Sequence, residues 1–295
     1  MADKIGIALL AAGKGTRFLP ATKEIPKEMI PINGIPMIHY VVQEAIDSGI
    51  EEIVFVSSKG KEALERYFSR NYELEKFLEG NNKIKELELI QSIGTMAEIS
   101  TVNQEEQLGL GHAVNCAKEV IGKENFAVLL GDDLIRSEVP VTKQLLDKYY
   151  SLDCSSIIGV MEVPLNDVTK YGIIDGSPMD NDSKTVKMKV MVEKPTVENT
   201  PSRLATPGRY ILTNDIFKCL DNIDSGAGGE YQLTDAINML ASQQDVYAHI
   251  FSGDRFDTGN LPAYLEAMVE FALRDLKTKE IMEDVIKKVS SKYNL

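Results

Sequence analysis

Residues 9–29 read LLAAGKGTRFLPATKEIPKEM, and this stretch narrows the fold more than any other. The apolar run over residues 5–10 has the composition of a buried strand. It ends in a loop of small residues and glycines, with Ala11, Ala12, Gly13 and Gly15 in succession, and Arg17 follows. Lys27 comes ten residues after Arg17, directly behind Pro26. A loop with so little side-chain bulk lets backbone N–H groups approach a phosphate or the face of a base. Arg17 and Lys27 then bring positive charge to a polyanion. Together these residues point to a nucleoside triphosphate.

The loop matches neither common phosphate-binding motif. A G-x-x-x-x-G-K-[ST] loop fails from Gly13 onward, and a G-x-G-x-x-G fingerprint meets Phe18 where its third glycine belongs. A P-loop nucleoside triphosphatase and a dinucleotide-dependent dehydrogenase are both disfavoured. Taken alone, Gly13 and Gly15 would mark no more than a tight strand-to-helix turn. Arg17, the two prolines and Lys27 turn the balance towards a binding loop.

The chain has 295 residues, 43% of them hydrophobic, enough for a sizeable core. Its formal net charge of -13 disfavours nucleic acid and acidic membrane surfaces as partners. An anionic substrate must therefore be attracted locally. Salt screens exposed charges beyond roughly 8 Å, so a few cations in a cleft can dominate there. Cys116, Cys154 and Cys219 form no C-x-x-C pair and read as small core residues of a reducing compartment. No basic-then-apolar leader opens the sequence and no apolar run is long enough to span a bilayer, so a cytoplasmic protein is expected.

Strand-like and helix-like runs alternate through the first half. Residues 5–10, 52–57, 98–103 and 126–130 read as strands; residues 37–48, 62–68, 111–120 and 141–150 read as helices. A charged helical insertion is expected to reach about residue 89. Beyond residue 155 the rhythm changes: strands are expected at 155–163, 184–193, 208–212 and 246–251, and helices at 214–220 and 231–242. Asp175-Gly176 and the cluster at 180–183 read as turns, and residues 198–206 as an exposed loop. The spacing predicts a helical tail over residues 261–290, packed on its own domain or forming a subunit contact. The fold class is α/β: one domain over residues 1–295, with a mixed, largely parallel central sheet flanked by helices.

Four further segments carry chemistry. LLGDDL, residues 129–134, ends a buried strand in glycine and two acids, where ligands gather in open α/β sheets. RFDTG, residues 255–259, places Asp257 at a similar turn. Asp132 and Asp257 together could hold Mg²⁺, which favours carboxylate oxygens plus substrate phosphates. Pattern does not decide between Asp132 and Asp133, and Asp132 is preferred because it directly follows Gly131. VMVEKP, residues 190–195, sets Glu193 and Lys194 at a strand end before proline. Successive strand residues face opposite ways, yet a kink could present both to a sugar phosphate; the plainer alternative is an edge strand blunted by charge. NQEEQLGLGHAV, residues 103–114, opens a helix with Gly109 and Gly111. The upstream Gln104 amide offers donor and acceptor together, a match for a pyrimidine edge. His112, in the first helical turn, reads as a structural hydrogen-bonding group and not a general base.

LAAGKGTRFLPATKEIPKEM, GLGHAV, LGDDL, VEKP, GEYQLTDAI and FDTGN follow one another in this order. The set resembles the bacterial UTP–glucose-1-phosphate uridylyltransferases, within the sugar nucleotidyltransferases, from Ile5 to about Ala272. The resemblance implies a mixed α/β nucleotidyltransferase fold, Mg²⁺ dependence, and a homodimer or homotetramer acting on UTP and glucose 1-phosphate. By position it implies uridine contacts from Ala11, Ala12, Gly13, Gln104 and Gly109, and triphosphate contacts from Arg17 and Lys27. It likewise implies sugar-phosphate contacts from Gly172, Glu193 and Lys194, and metal ligation by Asp132 and Asp257. Gly131 stands where the family commonly has proline, and Asn103 where it has arginine. Two other functions suit the same residues: the corresponding reaction with dTTP, and a non-catalytic nucleotide-sugar sensor of the same fold.

Overall fold

The apolar run near the start of the chain forms β1 (Ile7–Ala11), which lies between two other apolar strands. A computed structural model describes residues 5–11, 18–57, 62–226 and 229–294. After β1 come β2 (Pro31–Ile32), β3 (Ile35–Pro36), α1 (Met37–Asp47), β4 (Glu52–Ser57), α2 (Glu62–Tyr67), α3 (Tyr72–Gly80), α4 (Ile84–Ile93) and β5 (Glu98–Asn103). Next are α5 (Leu110–Cys116), α6 (Lys118–Ile121), β6 (Phe126–Leu130), β7 (Asp133–Arg136), α7 (Val141–Ser151) and β8 (Ser156–Glu162). They are followed by β9 (Gly172–Met179), β10 (Asp182–Glu193), β11 (Leu204–Thr206), β12 (Arg209–Leu212), α8 (Ile216–Leu220) and α9 (Leu233–Ala241). The chain closes with β13 (Val246–Ile250), β14 (Asp254–Asp257), α10 (Leu261–Arg274) and α11 (Lys279–Tyr293).

Among the described residues, ten strands form one sheet in the order β11-β9-β10-β13-β8-β12-β6-β1-β4-β5. The segment β6-β1-β4-β5 is parallel throughout, with Leu9 opposite both Val54 and Val128. Alternate residues of β4 feed opposite faces, as the strand pleat requires. Ile53 and Phe55 pack with α1, α7 and α10, whereas Val54 and Val56 pack towards α5, α8 and α9. Burial on both faces explains why β4 and β6 read as apolar runs, whereas the edge strand β5 mixes apolar and polar residues and buries none of them. α1 buries Met37, Ile38, Val41, Val42 and Ala45 on one face and ends before Gly49, whose φ of 89° suits a residue just past a helix.

The sheet is mixed, but it is not largely parallel. β12 runs antiparallel between β6 and β8, and β9, β10 and β11 add antiparallel pairs; only β8 with β13 is parallel outside the first segment. Residues 198–206 are not simply an exposed loop, because β11 buries Ala205 and pairs with both β8 and β9. Asp175-Gly176 is not a turn but lies inside β9. A Cβ on Gly176 would come within 2.3 Å of the Lys187 carbonyl oxygen, so close backbone approach accounts for the glycine. Of the three cysteines, Cys219 alone is fully buried. The tail is two helices with a break at residues 275–278, where Asn33 donates to Asp275 and Thr278. α10 packs Phe271 against Tyr40 and Phe256, while α11 buries nothing and leaves Ile281, Val285, Ile286 and Val289 exposed.

His249 on β13 is buried and faces Thr185 of β10. The Thr185 hydroxyl donates to Asp182 (2.7 Å), so the His249 Nδ1–H donates to that hydroxyl at 2.9 Å. Burial, aided by the Lys148 and Lys184 charges and opposed by Asp182, pushes the imidazole down to about 4. In the unfolded chain it titrates near pH ~6.5. The stability gained by keeping it neutral is thus complete above that value and is lost as pH falls towards 4. Thermal melts between pH 7 and 4.5 are expected to shift down by several degrees, and His249→Asn to shift less; equal slopes would remove His249 as a cause.

Candidate active site

A cleft of about 780 Å³ opens beyond the carboxyl ends of β6, β10 and β14 and the amino end of β9, and Asp132, Gly172, Glu193, Lys194 and Asp257 all line it. β6 delivers the first aspartate through a tight Gly131 turn, and β7 starts immediately after it. β14 pairs antiparallel with β7, placing Asp257 opposite Asp133. Thr258 then donates from its backbone N–H (3.1 Å) and its hydroxyl (2.7 Å) to the Asp132 carbonyl oxygen. These bonds hold the two aspartates at neighbouring positions.

The two adjacent acids divide their roles. Asp132 faces the cleft and pairs with the Lys27 ammonium. Burial acts to raise its carboxyl, but the Lys27 charge and hydrogen bond, with a backbone N–H and Arg255, together outweigh burial and hold it below the ordinary carboxylate range. Asp133 is buried against Arg255. Burial, with the nearby Asp132 charge, pushes its carboxyl up to about 7 in spite of that guanidinium. Arg255 also donates to the Tyr171 hydroxyl at 2.7 Å, stacks over that ring, and lies 3.8 Å from Asp257.

The Asp132 turn is gripped from behind. Arg209 is 1% exposed and donates to the Leu130 (3.3 Å) and Asp133 (2.6 Å) carbonyl oxygens, on either side of Asp132. Its charge is matched by Glu44 of α1, at 2.8 Å from Nη2, and Thr142 donates twice to the same carboxylate. A buried, fully hydrogen-bonded guanidinium therefore ties α1, α7 and β12 to the turn.

Glu193 and Lys194 both enter the cleft because the chain turns between them. Lys194 has a φ of 45°, a left-handed conformation that a lysine seldom adopts, and its N–H donates to the Tyr171 carbonyl at 2.9 Å. The Glu193 Oε2 accepts from the Thr234 hydroxyl (2.7 Å), and Oε1 lies 3.3 Å from the Lys194 ammonium. Lys194 is 60% exposed, so its charge is available to an anion in the cleft.

Gln104 follows β5, and Gly109 caps α5. A Cβ on Gly109 would sit 2.8 Å from the Tyr231 carbonyl oxygen, and its φ of 97° is one that glycine favours. Gln104 contacts Gly109 and His112 but is not among the residues lining the main cleft; Leu110, on the same turn, is. Ala11 closes β1, whereas Ala12, Gly13, Gly15 and Arg17 lie outside the described residues.

Asp132 and Asp257 suit Mg²⁺. Both are hard oxygen donors, and the Lys27 ammonium that pairs with Asp132 would have to yield to the ion. Among the described residues no group of three or more His, Cys, Asp or Glu could hold a metal, and Mg²⁺ needs none, since it binds one or two carboxylates plus water and substrate phosphates.

The model of the family described as "Nucleotidyl transferase" matches residues 7–273. The chain belongs to the nucleotidyl transferase family. It is 47% identical over 279 residues to the UTP–glucose-1-phosphate uridylyltransferase of Staphylococcus haemolyticus, covering 95% of this chain and 96% of that one. It is also similar to a crystal structure of UDP-glucose pyrophosphorylase complexed with UDP-glucose (TM-score 0.84, 40% identity, 92% of this chain and 100% of the other). A UTP-bound UGPase from Acinetobacter baumannii matches with a TM-score of 0.86 and 39% identity over 96% of this chain and 99% of that one.

In this nucleotidyl transferase, sequence reasoning overlooked Arg255, Arg209, Tyr171 and Thr258. Arg255 stands within the RFDTG segment and, two residues before Asp257 on one strand, shares its face; that spacing was the available signal. Arg209 carries no local signal, because its partners lie on other elements.

Proposed function

We propose that this cleft transfers the uridylyl group of UTP to glucose 1-phosphate by in-line displacement at the α-phosphorus. The chain forms UDP-glucose and diphosphate from these substrates. The observation that supports the site assignment is the convergence of Asp132, Asp257, Glu193 and Lys194 on one cleft. The second pKa of a phosphate monoester is about 6, so glucose 1-phosphate is chiefly a dianion at neutral pH. Its phosphate oxygen bonds to the α-phosphorus. The bond from that phosphorus to the bridging oxygen breaks, and diphosphate leaves with the electron pair. No proton must be removed from the nucleophile, so no general base is required.

The barrier is repulsion between two polyanions. Lys194 holds the sugar phosphate, Glu193 accepts from sugar hydroxyls, and Gly172 leaves room beside them. Arg17 and Lys27 bind the triphosphate, and Ala11, Ala12, Gly13, Gly15, Gln104 and Gly109 receive the nucleoside. Mg²⁺ held by Asp132 and Asp257 supplies charge neutralisation at the phosphates when bound. These groups align nucleophile and phosphorus, which is where most of the acceleration in phosphoryl transfer arises. The working form is a cytoplasmic homodimer or homotetramer whose contact includes the exposed apolar face of α11; no helix among the described residues is long and apolar enough to cross a membrane.

Lys194→Ala is expected to raise KM for glucose 1-phosphate roughly tenfold to a hundredfold, the worth of one charged hydrogen bond, while KM for UTP stays within about twofold. Initial rates at varied concentrations of each substrate check this. An equal rise in both constants would refute the assignment of Lys194 to the sugar phosphate.

A further inference from the structure

We infer that His112 is a positioning residue that sets which pyrimidine the chain accepts, by locking the side-chain amide of Gln104 in one orientation. The inference rests on the reading of Gln104 as a base contact. The Gln104 Nε2 donates to the Gly109 carbonyl oxygen at 3.3 Å and to the His112 Nδ1 at 3.0 Å. A backbone carbonyl can only accept, so the amide nitrogen, not its oxygen, must face Gly109. An amide nitrogen can only donate, so the His112 Nδ1 is the unprotonated ring nitrogen. Both amide hydrogens are thereby committed, and only Oε1 is left for a base. Gln104 does not offer donor and acceptor together; it offers an acceptor.

An acceptor discriminates sharply among pyrimidines. Uracil carries a hydrogen on N3 and meets Oε1 with a hydrogen bond. Cytosine has a bare N3 lone pair, and two acceptors then face each other. An amide free to flip would present its NH₂ to cytosine and remove the distinction. Flipping here would turn Oε1 towards the Gly109 carbonyl and abandon the bond to His112. The imidazole is itself held, close to the Tyr231 ring (6.3 Å between centroids, 34° tilt) and on α5 directly after Gly111. Gly111 in turn donates to the Tyr231 carbonyl at 2.9 Å. Thymine shares the N3 hydrogen with uracil, so this device separates UTP from CTP and leaves UTP against dTTP untouched.

The test compares kcat/KM for UTP, CTP and dTTP in the wild type and in His112→Leu, His112→Asn and Gln104→Leu, with melting temperatures as the folding control. A correctly oriented base contact is worth about ten- to a hundredfold in discrimination. His112→Leu, which cannot accept, is expected to lower the UTP/CTP ratio by about tenfold while the UTP/dTTP ratio stays within twofold. His112→Asn, whose side-chain oxygen can accept from Nε2, is expected to restore most of the UTP/CTP ratio. An unchanged UTP/CTP ratio in His112→Leu, alongside a loss of UTP use in Gln104→Leu, would overturn the role of His112. Unchanged UTP use in Gln104→Leu would instead overturn the reading of Gln104 itself. A general loss of activity in His112→Leu, equal for the three nucleotides, would also refute the proposal.

Discussion

Asp132→Asn and Asp257→Asn each lower kcat by about three orders of magnitude, with the fold retained. Asparagine keeps the size of the side chain and removes its charge. In Asp132→Asn the Lys27 ammonium loses its carboxylate partner as well. The cleft then holds fewer negative oxygens to attract a divalent ion, and the repulsion between the two phosphate substrates is left unscreened. Neither aspartate is in the hydrophobic core, and the carbonyl of Asp132, not its carboxylate, accepts the Thr258 bonds. Melting temperatures should accordingly stay within a few degrees of the wild type. Steady-state rates over a range of Mg²⁺ concentrations check the expectation, and wild-type turnover in both variants would refute the metal assignment.

Arg209→Met costs about 3–5 kcal/mol of folding stability, because it strands the Glu44 carboxylate inside the protein. Three backbone carbonyls, those of Leu130, Asp133 and Gly208, lose a donor at the same time. Removing both charges together, in Arg209→Met with Glu44→Gln, recovers part of this loss, since a neutral amide is far less costly to bury alone. Urea unfolding of the two variants measures the difference. A single variant as stable as the wild type, or a double variant no more stable than the single one, would contradict the account. The turn bearing Asp132 loses its grip in both, so kcat should fall even in the recovered double variant.

What could be read from the chain depended on how local the physical signal was. β4 and β6 were legible to the residue, because a strand buried on both faces is an apolar run with clear ends, and the edge strand β5, which mixes apolar and polar residues, was legible as well. The antiparallel second half was harder. β9 carries a glycine that a neighbouring strand demands, and β11 has only three residues, so both looked like turns or loops. The break between α10 and α11 escaped as well, since Asn33, far away in the chain, satisfies the groups at the break. In the candidate site, the convergence of Asp132, Glu193, Lys194 and Asp257 on one cleft was legible because each lies at or just past the end of a strand, beside a turn. Arg255 and Arg209 act through partners on other elements, and no spacing along the chain reveals that. Lys27 was expected near phosphates; its engagement with Asp132 is a property of the folded protein alone.

The most direct measurement of the central claim is phosphorus-31 NMR of the purified chain with Mg²⁺, UTP and glucose 1-phosphate. The account predicts that UDP-glucose and diphosphate grow in together, in equal amounts, and that neither forms when Mg²⁺ is chelated. Binding of both substrates with their resonances otherwise unchanged would contradict it and would mark the chain as a nucleotide-sugar sensor.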